Sequence, residues 1–83
     1  MINGQVAPVA ATQIHTAGVS NSCVINISAI TAAVFVGGSN AVTAGNGLQV
    51  PTTAVAQIIC GPSDNVWVIS ATGTCSYAKN ETP

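Results

Sequence analysis

Few side chains in this sequence could carry acid–base or nucleophilic chemistry: one His (His15), one Asp (Asp64), one Glu (Glu81), one Lys (Lys79) and three Cys (Cys23, Cys60 and Cys75). A hydrolase needs a nucleophile oriented by a base, or two carboxylates able to hold opposite protonation states. His15 with one of the cysteines is the one conceivable nucleophilic pair, and no third group is evident to orient it. The thiols share no CxxC spacing and the carboxylates are too few, so zinc has no ligand set. An odd number of cysteines disfavours a disulfide framework, and each reads as a buried small hydrophobe. Gly37-Gly38-Ser39 and Gly45-Asn46-Gly47 lack the following Lys-Ser/Thr and helix start of a phosphate loop, and read as turns. The sequence is that of a non-enzyme, with no metal and no cofactor.

The elements that hold these residues follow from composition. The chain has 83 residues, enough for one domain with a core of marginal size. Charged residues make up 4% of it, against about 25% in ordinary globular proteins, and the deficit is filled by nine Thr, seven Ser and seven Asn. Nucleic-acid binding is excluded, since phosphate affinity grows with Lys and Arg contacts and there is one such residue. No apolar run reaches the 18 residues of a membrane span, and no basic segment announces a secretory signal, so the chain is expected to stay in the cytoplasm where it is made. Asn26 and Asn80 open Asn-x-Ser/Thr triplets, which matter only on a secretory route.

Val and Ile number 19 against one Leu. Branching at Cβ stiffens these side chains in helices and suits a pleated sheet, which predicts an all-β fold. Strands are expected over 9–15, 23–29, 33–36, 48–50, 54–60, 66–70 and 74–79. Between them, Asn46-Gly47 predicts a type I′ hairpin and Ala71-Thr72-Gly73 a hairpin pairing its two flanking strands. About seven short strands predict a small β-sandwich or barrel over 9–79, of jelly-roll or immunoglobulin-like kind. Residues 1–8, with Gly4 and Pro8, read as an irregular extended arm.

Consecutive apolar residues in AVFV (33–36), QIIC (57–60) and VWVI (66–69) leave both strand faces greasy, whereas a sandwich has one inner face per sheet. Apolar side chains should therefore point outward, and clustered ones mark interaction sites. Phe35 and Trp67 lie in these runs. With Ile2 and Val6 of the arm, they form the candidate protein–protein interface, and a homo-oligomer, dimer or trimer, is expected.

The span 34–79, VFVGGSNAVTAGNGLQVPTTAVAQIICGPSDNVWVISATGTCSYAK, resembles small structural proteins of tailed bacteriophages. The shared pattern is a strand ending in Gly-Gly-Ser, a Val-Thr, an Asn-Gly-Leu hairpin, then aromatic-x-Ile-Ser followed by Ala-x-Gly-Thr. Pro51-Thr52-Thr53 departs from the Gly- and acid-containing turn usual there. The resemblance implies a capsid decoration (cement) protein on the outer surface of the phage head, bound to the major capsid protein. A receptor- or glycan-binding module of a head fibre or tail component is the alternative.

Overall fold

The computed structural model describes residues 2–18 and 21–82; Met1, which opens the expected arm, lies outside them. Eight strands run in the order β1 (Ile2–Val6), β2 (Thr12–His15), β3 (Ser22–Ile30), β4 (Val34–Gly37), β5 (Leu48–Val50), β6 (Val55–Cys60), β7 (Val66–Ile69) and β8 (Thr74–Thr82). They form two four-stranded antiparallel sheets, β1-β8-β3-β6 (sheet A) and β2-β7-β4-β5 (sheet B). β1 pairs with β8, β2 with β7, β3 with β6 and β4 with β5, as if one long hairpin had been rolled up around its tip. This is the strand order of an eight-stranded jelly roll, so the expected all-β sandwich is found, with eight strands rather than about seven.

β3 shows why the sequence folds this way. Cys23, Ile25, Ile27 and Ala29 are buried and alternate with Val24, Asn26, Ser28 and Ile30, which face out. Opposite them across the sandwich lie Val34 and Val36 of β4, Val50 of β5, and Val66 and Val68 of β7. Short, branched side chains let the two layers of a chain this small close on each other without voids.

Three local expectations are corrected. The arm is a strand: Ile2–Val6 pairs with β8 along its whole length, Ile2 opposite Lys79 and Val6 opposite Cys75. Gly4 permits this pairing, because a Cβ there would stand 2.5 Å from Tyr77 Oη; the glycine is the socket for that ring.

Nor does Asn46-Gly47 form a type I′ hairpin, which would need positive φ at both positions. Among the described residues only Thr31 (77°) and Gly18 (84°) have it. The 38–47 loop is closed instead by Asn46, whose Oδ1 accepts from the Thr43 amide at 2.7 Å while Nδ2 donates to Ala41 O at 3.2 Å. Gly47 serves close approach, since a Cβ would meet Phe35 Cβ at 2.9 Å and Val42 Cγ2 at 3.0 Å.

The third correction concerns β7 and β8, which do not pair; they lie in different sheets. Ser70 decides this. Its hydroxyl donates to Ala33 O at 2.7 Å and accepts from the Gly73 amide at 2.9 Å, while its own amide donates to Pro8 O at 2.9 Å. Three sheet-crossing corners, at 7–11, 31–33 and 70–73, are thereby tied together at one end of the sandwich. Gly73 is required there, as a Cβ would lie 2.5 Å from Ala32 O.

Candidate interaction surface

The charged groups are spent on the fold. Asp64 accepts the Gly61 amide at 2.7 Å and shapes the β6–β7 turn. Lys79, on the inner side of β8, donates to Ile14 O at 2.8 Å, joining sheet A to sheet B, with Glu81 Oε1 3.8 Å from its Nζ. Both of those side chains are mostly covered, at 13% and 17% exposure, so Asp64 is the one charged side chain on an exposed residue.

His15 lies on β2, an edge strand of sheet B, yet it is buried. The register shifts between Gln13 and His15, and this bulge turns both Ile14 and His15 inward. Its Nδ1 has no hydrogen-bond partner among the described residues. All three cysteines stand on β3, β6 and β8 of the other sheet, so the one conceivable nucleophilic pair is divided between sheets. Burial pushes the Cys23 and Cys60 thiols above their ordinary value, reinforced by Glu81 at Cys23 and by Cys23 and Asp64 at Cys60. Burial alone raises Cys75 to about 11. Such thiols are poor nucleophiles, because the thiolate is the reactive form.

Three surface regions are distinct in chemistry. The outer face of sheet A is uncharged and mixed: Asn3, Gln5, Asn26, Ser28 and Ser76, together with Val55 and Ala78, line a shallow dish of about 460 Å³. Along it the ladder runs Asn3, Ala78, Asn26, Gln57 straight across the four strands.

The outer face of sheet B is apolar. Phe35 lies opposite Ile69, and Trp67 lies opposite Gly37, so the two aromatics are diagonal neighbours. Both are half-buried. Gly37 leaves room for the 38–47 loop to fold back, and Val42 occupies the place its Cβ would take. Toward the tied corners, Val9, Ala33, Phe35, Ala44, Ile69 and Thr72 line a groove of about 360 Å³.

The third region is the side formed by edge strands β5 and β6. Ile59 is 75% exposed and Leu48 57%, around a slot of about 250 Å³ that also takes in Ile58, Val36 and Asp64, while Val55, 66% exposed at the other end of β6, lines the dish of sheet A. β6 carries no charge, no proline and no bulge in its pairing with β3, the devices that usually protect an exposed strand edge.

Of the four expected interface residues, Phe35 and Trp67 share one face. Ile2 is about half exposed at the start of β1, on the edge of sheet A, while Val6 packs against the core beside Cys75. The structure thus separates Ile2 and Val6 from the aromatic pair. Sequence reasoning singled out the QIIC run but not Ile59 within it; Leu48 and Val55 it missed. Period-2 alternation counted from the buried Cys60 would have found Ile59 and Val55.

Comparison with protein-family models, with curated proteins and with solved structures found no match to this chain.

Proposed function

We propose that this protein is a structural virion component: a decoration (cement) protein that binds the outside of an assembled phage head and stabilises it. The observation that supports this reading best is the neutral exterior. With Asp64 the one exposed charged residue, and apolar groups exposed on sheet B and on the β5–β6 side, docking would rest on apolar burial and neutral hydrogen bonds more than on ion pairs. The partners proposed are the major capsid protein and further copies of this chain, as a dimer or trimer. A protein that binds only the assembled shell stabilises it by mass action, and many weakly bound copies together have a large effect.

A second reading has its own support. The charge-free dish on sheet A, where amides and hydroxyls stand beside Val55 and Ala78, suits a neutral glycan, which would make the domain a receptor-binding module of a head fibre or tail component. One experiment separates the two. Heads lacking the protein are mixed with it, sedimented, and challenged by heat and osmotic shock, while the same preparation is tested on host cells. Co-sedimentation with improved head survival is expected. Unchanged survival with retention on cells would replace the cement reading by the receptor one.

A further inference from the structure

Cys23 and Cys60 are directly opposed in the antiparallel register of β3 and β6. Both are buried, so both project from the same, inner face of sheet A. Directly opposed residues in such a pair have Cα atoms ~4.5 to ~5.5 Å apart, inside the ~4.4–6.8 Å that a disulfide spans. Cys75 is excluded by the same geometry. It lies opposite Ala29, six residues along β3 from Cys23, which is ~20 Å of strand.

We propose that Cys23 and Cys60 form a latent cross-strand disulfide site, closed by a small-molecule disulfide acting as oxidant, with Cys75 left as a free thiol. The thiolate of one cysteine attacks a sulfur of the reagent RS–SR, forming a mixed disulfide and releasing one RSH after proton uptake. The second thiolate then attacks the protein sulfur of that mixed disulfide and releases the second RSH. In sum the two cysteines lose two electrons and two protons, and the reagent is reduced to two thiols.

Access is the slow part. Both thiols are covered, but β6 is an edge strand with Cys60 as its last residue, so fraying at that end uncovers the pair without unfolding the domain. An antiparallel pair holds Cβ atoms ~4.5–5.5 Å apart, wider than the ~3.8 Å mean of relaxed disulfides. The bond is therefore strained, and strained disulfides are the readily reduced ones.

The test uses the folded full-length chain and oxidised glutathione. After reaction the protein is unfolded, alkylated and weighed. Expected is a mass lower by two hydrogens, one alkyl group in place of three, and a non-reducing peptide map linking the Cys23 and Cys60 peptides; dithiothreitol restores three alkylatable thiols. Cys75→Ala should form the same internal link, with no alkyl group in place of two, and Cys60→Ala should lose it. Should Cys60→Ala fail to fold, the peptide map of the unaltered chain decides alone. Three alkyl groups after oxidation, a linkage through Cys75, a persistent glutathione adduct or a disulfide between two molecules would each overturn the proposal.

Discussion

Sheet A and sheet B are built from the same neutral residues, yet they divide the work. Sheet A has the long strands, β3 and β8 at nine residues each, and its inner face carries Cys23, Ile25, Ile27, Ala29 and Cys75, while its outer face is amides, hydroxyls and a few aliphatics. Sheet B is made of strands of three or four residues, too short to hold themselves, and it turns Phe35, Trp67 and Ile69 outward. Both inner faces supply the core, Ile14, Val34, Val36, Val50, Val66 and Val68 of sheet B meeting the residues of sheet A. The difference lies outside: on sheet A amides and hydroxyls stand beside the exposed Val55 and Ile59, whereas on sheet B a loop shields part of the apolar surface, as Val42 and Gly47 do over Phe35.

The sharpest way to break that division is to hollow out sheet A. Ile27 is fully buried between Tyr77 of β8 and Ala56 of β6 in register. Ile27→Ala should cost ~2–5 kcal/mol, from lost transfer energy plus the cavity left behind, measured by urea unfolding. In so small a domain that is much of the total stability. Phe35→Ala, on the half-exposed face of sheet B, should cost clearly less. Equal losses at the two sites would mean that the outer face of sheet B is packed as tightly as the core.

Next in size is a pH effect seated in sheet A. The Cys75 thiol is raised by burial from an ordinary 9.0 to about 11. In this window the unfolded chain has released the proton that the folded chain keeps, so the unfolded state binds fewer protons and stability falls as pH rises. The contribution is complete below pH 9.0 and lost by about 11, a decline of roughly 2–3 kcal/mol at 1.36 kcal/mol per unit. Cys75→Val should flatten the slope in unfolding curves taken between those pH values. A slope unchanged by the substitution would place the titration elsewhere.

A smaller loss is expected where the two sheets are tied. Ser70→Ala removes the bonds to Ala33 O and from the Gly73 amide at a buried corner, leaving both groups unpaired. That should cost ~1–3 kcal/mol, again by urea unfolding. A neutral result would mean that packing of Pro8 and Gly73, rather than Ser70, fixes the crossover.

This corner also marks how far the sequence was legible. Strands whose faces differ were readable: alternation in 23–29 located β3, and 48–50 matched β5 residue for residue. Partners were less readable than strands. Ala71-Thr72-Gly73 looks the same locally whether the next strand pairs beside β7 or crosses to the other sheet; the choice is made by Ala33 and Pro8, distant in sequence. β1 was missed for the same reason, since Gly4 discourages a strand until Tyr77 is there to fill the space above it. The interface was half legible. Phe35 and Trp67 stand out by size and Val55 is reachable by alternation, whereas Leu48 becomes surface because β5 is an edge, a fact of topology.

On the exposed side, stability and association should separate. Ile59→Ser, at a position three-quarters exposed, should leave unfolding within ~0.5 kcal/mol of the unaltered chain. The same change should weaken self-association measured by light scattering, because it removes apolar surface from an unprotected strand edge. If association is unaffected, the aromatic face of sheet B becomes the contact to test, with Trp67→Ser.

The smallest effect of all should be that of salt. Raising ionic strength from 0.1 to 1 M shortens the screening length from ~10 to ~3 Å and weakens contacts between exposed charges. It leaves apolar burial intact. Lys79 and Glu81 are covered and already engaged, which leaves Asp64, in the β6–β7 turn, as the one charged side chain for salt to act on. Sedimentation with phage heads across that range should therefore show near-constant binding. A steep loss would locate the docking contact at Asp64, on the rim of the β5–β6 slot and away from the Val9–Thr72 groove beside Phe35, and Asp64→Asn would then reproduce the loss at low salt.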